Sequence, residues 1–175
     1  MTVFFPDGVQ SLGKDTWTFI VAAANKAAVT VAEITATTGC NIQLAIRPGF
    51  GLDADTSKIQ DRRLGSFVTY ESVGVTNRTF ADAIVIDRPQ DAPAAATRKH
   101  LDVLAEGAVG FLVNRRGFGS ASENWVAWAA TQRYLLVPTT VAAQTPIPAP
   151  EEGGQFEAKV SFSVTGPIVY GVIAA

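Results

Sequence analysis

The chain has little of what enzymes and metal proteins are built from. Its 175 residues include one cysteine, Cys40, and one histidine, His100. A single cysteine excludes an intramolecular disulfide and a cysteine-rich zinc site. A single histidine in a helical segment, with no serine in a recognisable nucleophile turn, offers no catalytic triad. We therefore expect no catalytic residue, no cofactor and no metal site, with Cys40 packed as a small apolar residue and His100 as a surface or partly buried residue of a helix.

Charged residues are also scarce. They make up 17% of the chain, below the usual quarter, and the net charge is −2 with a pI near 5.4. This balance argues against a protein that grips nucleic acid, because that needs clustered lysine and arginine. It suits a protein that lets nucleic acid pass without holding it. A surface short of charge suggests burial in an assembly; the alternative is a small monomer with many surface alanines and threonines.

Long apolar runs are missing as well. The chain opens without a basic region followed by an apolar helix, and no later segment has the apolar length that a membrane span needs. We expect a soluble protein that is made inside the cell and has no membrane partner. Its length suits one domain over residues 1–175, with no internal repeat.

What the chain has is β-strand patterning, clearest over residues 155–165. Apolar and polar residues alternate there without an error, which is the pattern of a strand with one buried face. The apolar set is Phe156, Ala158, Val160, Phe162 and Val164, and the polar set is Gln155, Glu157, Lys159, Ser161, Ser163 and Thr165. One face must pack on a core while the other meets water or a polar partner.

Further strand patterns, interrupted by a single confident helix, complete the predicted fold. The strands are expected over residues 16–22, 41–46, 66–71, 79–86, 109–114, 125–129, 133–137 and 168–173. In the fourth of them Asp82 shares a face with Phe80, Ile84 and Ile86, which suggests a sheet edge. The helix is expected at about residues 92–106, capped by Asp91 and stopped by Gly107. The sequence predicts a mainly β protein, a sandwich or barrel with one flanking helix.

Two long loops are predicted between these elements. Residues 47–65 carry proline, glycine and clustered charges without periodicity, and a connection of this length is usually functional. Residues 138–154 are rich in proline and are predicted to be an extended loop that cannot join a central sheet. Both loops are interpreted as arms or covers of a single domain.

The first loop begins like a calcium site but does not continue as one. Oxygen-bearing side chains alternate at Asp53, Asp55 and Ser57, yet Lys58 stands where the turn glycine is required and Leu64 where a bidentate glutamate is required. We interpret the segment as an acidic loop balanced by Arg62 and Arg63, with a weak cation site as the alternative.

Two adjacent arginines follow a predicted strand. Arg115 and Arg116 would suit phosphate, and their planar guanidinium groups equally suit carboxylates across a subunit boundary. The negative net charge favours the subunit boundary.

Three stretches resemble the major tail tube proteins of long-tailed bacteriophages. Residues 80–117 run from Phe-Ala-Asp-Ala-Ile-Val-Ile-Asp-Arg-Pro-Gln through the alanine-rich helix to Val-Gly-Phe-Leu-Val-Asn-Arg-Arg-Gly. Residues 31–34, Val-Ala-Glu-Ile, precede Thr-Gly-Cys-Asn-Ile-Gln-Leu at 38–44, and residues 162–169 close the chain as Phe-Ser-Val-Thr-Gly-Pro-Ile-Val. Together the matching stretches span most of the chain.

The resemblance implies a structural virion protein. It implies six copies in a ring and rings stacked into a tube through which phage DNA leaves the capsid, with tail tip or initiator, terminator and tape measure proteins as partners. Residues 47–65 would be the arm that reaches neighbouring subunits or the next ring. The candidate interface residues are Asp53, Asp55, Asp61, Arg62, Arg63, Arg115 and Arg116, and the candidate lumen face is Gln155, Glu157, Lys159, Ser161 and Ser163, where Glu157 would offset Lys159.

Two other classes compete with this interpretation. One is another ring protein of the virion, such as a terminator or connector, or a free-standing β-sandwich binding module, which predicts that the two long loops converge on a pocket. The other is a carboxylate-dependent glycoside hydrolase, which needs two acids roughly 5 to 10 Å apart in a cleft. Nothing in the sequence pairs acids in that way.

Overall fold

The computed structural model of the chain describes residues 15–42, 45–61, 70–86, 99–117, 127–148 and 156–174. Within these ranges the fold is mainly β, as predicted. The strands are β1 (Asp15–Ile20), β2 (Cys40–Asn41), β3 (Leu52–Asp61), β4 (Tyr70–Phe80), β5 (Ala83–Ile86), β6 (Val109–Arg116), β7 (Arg133–Ile147), β8 (Glu157–Val164) and β9 (Val169–Val172). The helices are α1 (Val31–Ile34) and α2 (Lys99–Val103).

One curled antiparallel sheet organises the fold. Its strand order is β2-β1-β6-β7-β8-β5, and β9 also pairs with β7. The long strand β7 has β6 along one edge and β8 and β9, one after the other, along its second edge. The register of β7 with β8 shifts between Val141 and Ala143, as at a bulge, and bulges usually bend the strand that carries them.

Hydrophobic clusters cover both faces of this sheet. Because successive residues of a strand point to opposite faces, Phe19 and Leu112 enter one cluster while their neighbours Ile20 and Val113 enter the other. The first cluster comprises Trp17, Phe19, Cys40, Ile42, Ala45, Ala83, Val85, Leu104, Leu112, Val141, Val160 and Phe162. The second comprises Ile20, Val29, Ile34, Val113, Trp128, Tyr134, Leu136 and Ile173.

The predicted helix is present in part. Its described portion is α2, which ends at Val103, three residues before the expected end, and residues 92–98 lie outside the described part of the chain. Gly107 has a φ of 82°, as expected for the residue that stops a helix or its following turn. A ring nitrogen of His100 lies 3.0 Å from the backbone oxygen of Asn41, so α2 lies beside the edge strand β2.

The prediction that residues 138–154 form a loop outside the sheet is wrong for residues 138–147. These residues belong to β7, and from Thr139 to Ile147 the strand pairs with β8, so that Pro146 lies opposite Ala158. The carbonyl of Pro138 accepts a hydrogen bond from the amide of Thr165, in the break between β8 and β9. The nitrogen and oxygen of one strand residue point to the same edge, so the nitrogen of Pro138, which carries no hydrogen, also faces this break. The proline is tolerated for that reason. Residues 149–154 lie outside the described part.

The prediction that residues 47–65 form a structureless loop is wrong for residues 52–61. They form β3, which pairs with β4 in a separate two-stranded sheet. The sequence shows no alternation there because both faces of this hairpin are exposed, so neither face requires apolar side chains. Residues 62–65 lie outside the described part.

Three shorter strand predictions also need correction. The expected strand 79–86 is divided between β4 and β5, and the buried face of β5 carries Ala83 and Val85 in place of Ile84 and Ile86. Of the expected strand 41–46, Asn41 ends β2, residues 43–44 lie outside the described part of the chain, and the amide of Ile46 donates to the Ile42 carbonyl in a turn. Residues 127–129, the described part of the expected strand 125–129, are not in a strand.

Candidate functional site

The hairpin β3–β4, hereafter the arm, is fixed to the main sheet by aromatic packing at its base. Phe50, Leu52 and Phe80 pack against the first hydrophobic cluster. The rings of Phe50 and Phe80 stack with centroids 5.4 Å apart, and Trp17 meets Phe50 edge-on at 5.1 Å. Because these rings come from β1, from β4 and from the start of the arm, they fix the direction in which the arm leaves the sheet.

Beyond its base the arm is exposed on both faces. Strand alternation and the register with β4 place Asp53 and Asp55 on one face, opposite Thr79 and Asn77. The second face carries Arg78, opposite Ala54, and further along an ion pair in which Lys58 Nζ lies 2.9 Å from Glu71 Oε2. In the described part of the arm, therefore, one face carries two unpaired carboxylates and the other carries an excess of positive charge.

The arm also exposes apolar side chains. Val73 is 79% exposed, Val75 69% and Ile59 58%. An isolated two-stranded hairpin is at best marginally stable in water, and exposed β-branched residues add to that difficulty. The arm is therefore a candidate contact surface.

The candidate interface residues are divided between the arm and the main sheet. Asp53 and Asp55 are exposed on the arm, and Asp61 is the last residue of β3. Arg116 ends β6 and lies near Asp15, with Nε 3.7 Å from Oδ1. Arg62 and Arg63 lie outside the described residues.

Arg115 does not extend from the subunit surface. It is 1% exposed, and its guanidinium carbon lies 4.5 Å from the centre of the Trp128 ring. One terminal nitrogen donates to the Ala127 carbonyl at 3.0 Å and to Gln132 Oε1 at 2.7 Å. Burial lowers the pKa of Arg115. The side chain that was expected to reach a neighbouring subunit is therefore part of its own core.

The second candidate surface is the polar face of β8. Ala158, Val160 and Phe162 are buried on the opposite face, which confirms the predicted half-buried strand. The polar face consists of Glu157, Lys159, Ser161 and Ser163, which are half-buried or exposed. Gln155 lies outside the described residues.

The charges on this face are paired, but not with each other. Glu157 Oε1 lies 2.6 Å from a terminal nitrogen of Arg47 and accepts from Arg47 Nε at 2.8 Å. Lys159 Nζ lies 2.6 Å from Asp82 Oδ2. The expectation that Glu157 offsets Lys159 is therefore replaced by two separate pairs, each with a partner from another segment.

Asp82 receives two hydrogen bonds on this face. The bond from Lys159 and then that from Ser161 Oγ, which is 2.6 Å from Oδ1, hold the pKa of Asp82 below its usual value. Sequence reasoning marked Asp82 as a charge near a sheet edge, but assigned it no partner. Its pairing depends on the register of β5 with β8, which places Ala83 opposite Val160.

No cluster of metal-ligating side chains occurs among the described residues. Asp53 and Asp55 lie in an extended strand and not in the tight loop that converging calcium ligands require. No helix in the described ranges has the length and apolar character needed to cross a membrane.

The chain matches a family model described as phage tail tube protein over residues 4–175. It belongs to the phage tail tube protein family. The family is structural and not enzymatic, so this tail tube protein is a structural component of a phage virion and assembles with other tail components. No curated protein matches the sequence.

A solved structure supports the fold assignment. This tail tube protein is similar to a chain of a baseplate assembly, "Cryo-EM structure of the anti-feeding prophage (AFP) baseplate, 6-fold symmetrised", with a TM-score of 0.51 and 9% sequence identity. The similarity covers 94% of this chain and 97% of that one. At this identity the likeness shows the shared fold.

Proposed function

We propose that this protein is the repeating subunit of the tail tube, that six copies close into a ring, and that stacked rings form the conduit for phage DNA. The observation that carries the proposal is the arm. A ribbon exposed on both faces, with carboxylates on one face and an excess of positive charge on the other, is suited to contact unlike surfaces of successive copies. Such heterologous contacts close into rings or propagate as tubes.

The arm supplies the proposed contacts between copies. Asp53 and Asp55 would meet a positive surface of the next subunit, for which Arg78 is suited by its exposed position on the opposite face. Asp61, Arg62 and Arg63 remain proposed interface residues. Arg116 remains a proposed interface residue at the end of β6, whereas buried Arg115 does not.

The polar face of β8 supplies the proposed lumen surface. Gln155, Glu157, Lys159, Ser161 and Ser163 would face the channel. This assignment is supported by the pairing of Glu157 with Arg47 and of Lys159 with Asp82. A surface without net charge binds a passing polyanion weakly.

The proposal extends to the whole chain and its partners. Residues 1–175 form one domain, an assignment supported by the extent of the family match and by the packing of the arm's base in the sheet's core. Six copies per ring accord with the six-fold symmetrised baseplate to which the chain is similar. Tail tip or initiator and terminator proteins would bind the ends of the tube, tape measure protein and DNA would occupy it transiently, and synthesis would take place in the host cytoplasm.

The alternatives predict different arrangements of the long segments. A free-standing binding module requires the segments 47–65 and 138–154 to converge on a pocket. In their described parts, the first forms the separate arm, whereas the second runs along β8 within the main sheet. A terminator or connector would close into a ring without stacking into long tubes.

Electron microscopy of the purified protein over a concentration series, beside its mass in solution, tests the proposal. We expect six-fold rings that stack into tubes with an open channel. A subunit that remains monomeric at every concentration, and also after addition of preformed tail tips, would contradict the proposal. Rings that never stack would favour the terminator or connector.

A further inference from the structure

Asp82 occupies a defined place on the polar face of β8. It lies in the two-residue link between the end of β4 at Phe80 and the start of β5 at Ala83. Since Ala83 pairs with Val160, the next register position places Asp82 beside Ser161. The two carboxylate oxygens then have different partners: Oδ1 accepts from Ser161 Oγ and Oδ2 meets Lys159 Nζ, each at 2.6 Å.

Ser161 makes this ion pair more than a chance surface contact. An exposed lysine and aspartate normally lose side-chain entropy when they pair, and such pairs are weak. Here the hydroxyl of Ser161 already orients the carboxylate, and the side chains of Lys159 and Ser161 point to the same face of one strand. The carboxylate is therefore held where the lysine can reach it.

The same face carries one other cation among the described residues of β8 and its ion-pair partners. Arg47 is occupied by Glu157, whose side chain is 18% exposed. Each cation of the face therefore has its own carboxylate.

We propose that Asp82 masks Lys159, that is, pairs with its ammonium group, and so keeps the polar face of β8 from binding the phosphates of DNA. This inference rests on the proposed function. A lysine binds DNA by neutralising a phosphate and releasing a counterion. A fixed carboxylate already takes the place of that counterion, so a phosphate would have to displace it and would meet its negative charge. In a ring and a stack, one unmasked lysine per subunit would be repeated many times along a single DNA molecule, and repeated weak contacts add up to strong retention.

The test compares Asp82→Asn with Glu71→Gln. Both substitutions remove one carboxylate from an exposed lysine, but Glu71 pairs with Lys58 on the arm and not with a residue of β8. A fluorescent double-stranded DNA oligonucleotide is titrated against each variant and the unchanged protein, as separate subunits and as assembled tubes, over a range of salt concentrations. Electron microscopy of the same samples records assembly independently.

We expect binding of Asp82→Asn to rise at least several-fold at low salt. For this variant, the slope of log K for DNA binding against log salt concentration should become more negative by roughly 0.9 for each lysine that contacts a phosphate. In assembled tubes Glu71→Gln should bind as the unchanged protein does, because the arm that carries Lys58 lies in the proposed contacts between copies. Asp82→Asn combined with Lys159→Gln should return to that level in tubes and in separate subunits. Equal binding by Asp82→Asn and the unchanged protein, or equal gains in Asp82→Asn tubes and Glu71→Gln tubes, would overturn the inference. If Asp82→Asn fails to assemble, equal binding by its subunits and by subunits that also carry Lys159→Gln would overturn it. Tubes of the unchanged protein seen by microscopy would still support the proposed function in each case.

Discussion

The arm and the polar face of β8 are both exposed and both carry charge, yet they treat their charges differently. On β8 each described charge is paired within the subunit, with Arg47 on Glu157 and Asp82 on Lys159. On the arm, Asp53 and Asp55 have no cation opposite them, since their cross-strand neighbours are Thr79 and Asn77. A surface whose charges are paired within the chain is suited to remain unbound, whereas a surface whose charges are not paired is suited to bind an oppositely charged surface.

The apolar side chains support the same contrast. The arm exposes Val73 and Val75, while the apolar residues of β8 between Ala158 and Phe162 are buried on its core face. Strand β8 faces a core on one side only. The arm faces no core on either side beyond its base, and under the proposed function its second layer comes from another copy of the chain.

Reversing the arm's charges should have the largest effect. Asp53→Lys with Asp55→Lys should abolish ring and tube formation while the subunit remains folded, because the negative face would now repel the positive surface proposed to bind it. Electron microscopy and circular dichroism measure the two properties. Adding Arg78→Glu should restore assembly in part if these two faces meet.

Asp102→Lys with Glu106→Lys is the matched control for this reversal. It makes the same change in net charge at two exposed carboxylates in and after α2. Loss of assembly in the control as well would mean that net charge, and not the arm, controls association.

Truncating the aromatic base should have the next largest effect. Phe162 is 7% exposed, and its ring centroid lies 5.7 Å from that of Phe50 and 6.0 Å from that of Phe80. Phe162→Ala should therefore lower the free energy of unfolding by about 3 to 5 kcal/mol. Denaturant unfolding measures the loss. Phe156→Ala, at a side chain 62% exposed, should change it little; equal losses would contradict the packing described for the arm's base.

A cap remote from both surfaces should have a smaller effect. Thr30 Oγ1 accepts from the Glu33 amide at 3.2 Å and Glu33 accepts from the Thr30 amide at 2.7 Å, so Thr30→Ala should cost about 1 kcal/mol of unfolding free energy without changing assembly. Thr37→Ala, at an exposed position, is the control for denaturant unfolding. A loss of tubes in Thr30→Ala would show that assembly also depends on the first turn of α1.

The same cap predicts a dependence on pH. Hydrogen bonds from the amide of Ala24, then from the amide and hydroxyl of Thr30, lower the pKa of Glu33. The stabilisation is therefore complete above the ordinary glutamate pKa and is lost as pH falls through the lowered value. The difference in unfolding free energy between the unchanged protein and Thr30→Ala should shrink in acid, and a constant difference would contradict this account.

The smallest effect on stability is expected at Asp82. Asp82→Asn removes an exposed ion pair, so the unfolding free energy should change by less than about 1 kcal/mol, within the range of surface pairs. Thermal unfolding measures this change. A loss of unfolding free energy well beyond that range would give Asp82 a role in folding. It would weaken the contrast between the two surfaces, because the pairing of Asp82 with Lys159 would then serve stability and not only the binding properties of the face.

Much of the fold could be predicted from local pattern. The buried face of β8 follows from alternation, and the stop near Gly107 follows from backbone preference. The arm could not be found in this way, because a strand exposed on both faces has no apolar period. The second half of β7 was not predicted because it contains Pro138 and Pro146. Whether a proline fits in a sheet depends on which edge of the strand its nitrogen faces.

The sequence by itself determined the class of protein: a mainly β chain without the histidines and cysteines of a catalytic or metal site, with motifs that resemble tail tube proteins. It did so because composition and strand alternation are local properties. Only the tertiary structure decided which charges meet. Arg47 reaches Glu157 across 110 residues and Lys159 reaches Asp82 through the pairing of β8 with β5, while Arg115 turns into the core. The register of strands that are distant in sequence sets these neighbours, and no local pattern encodes that register.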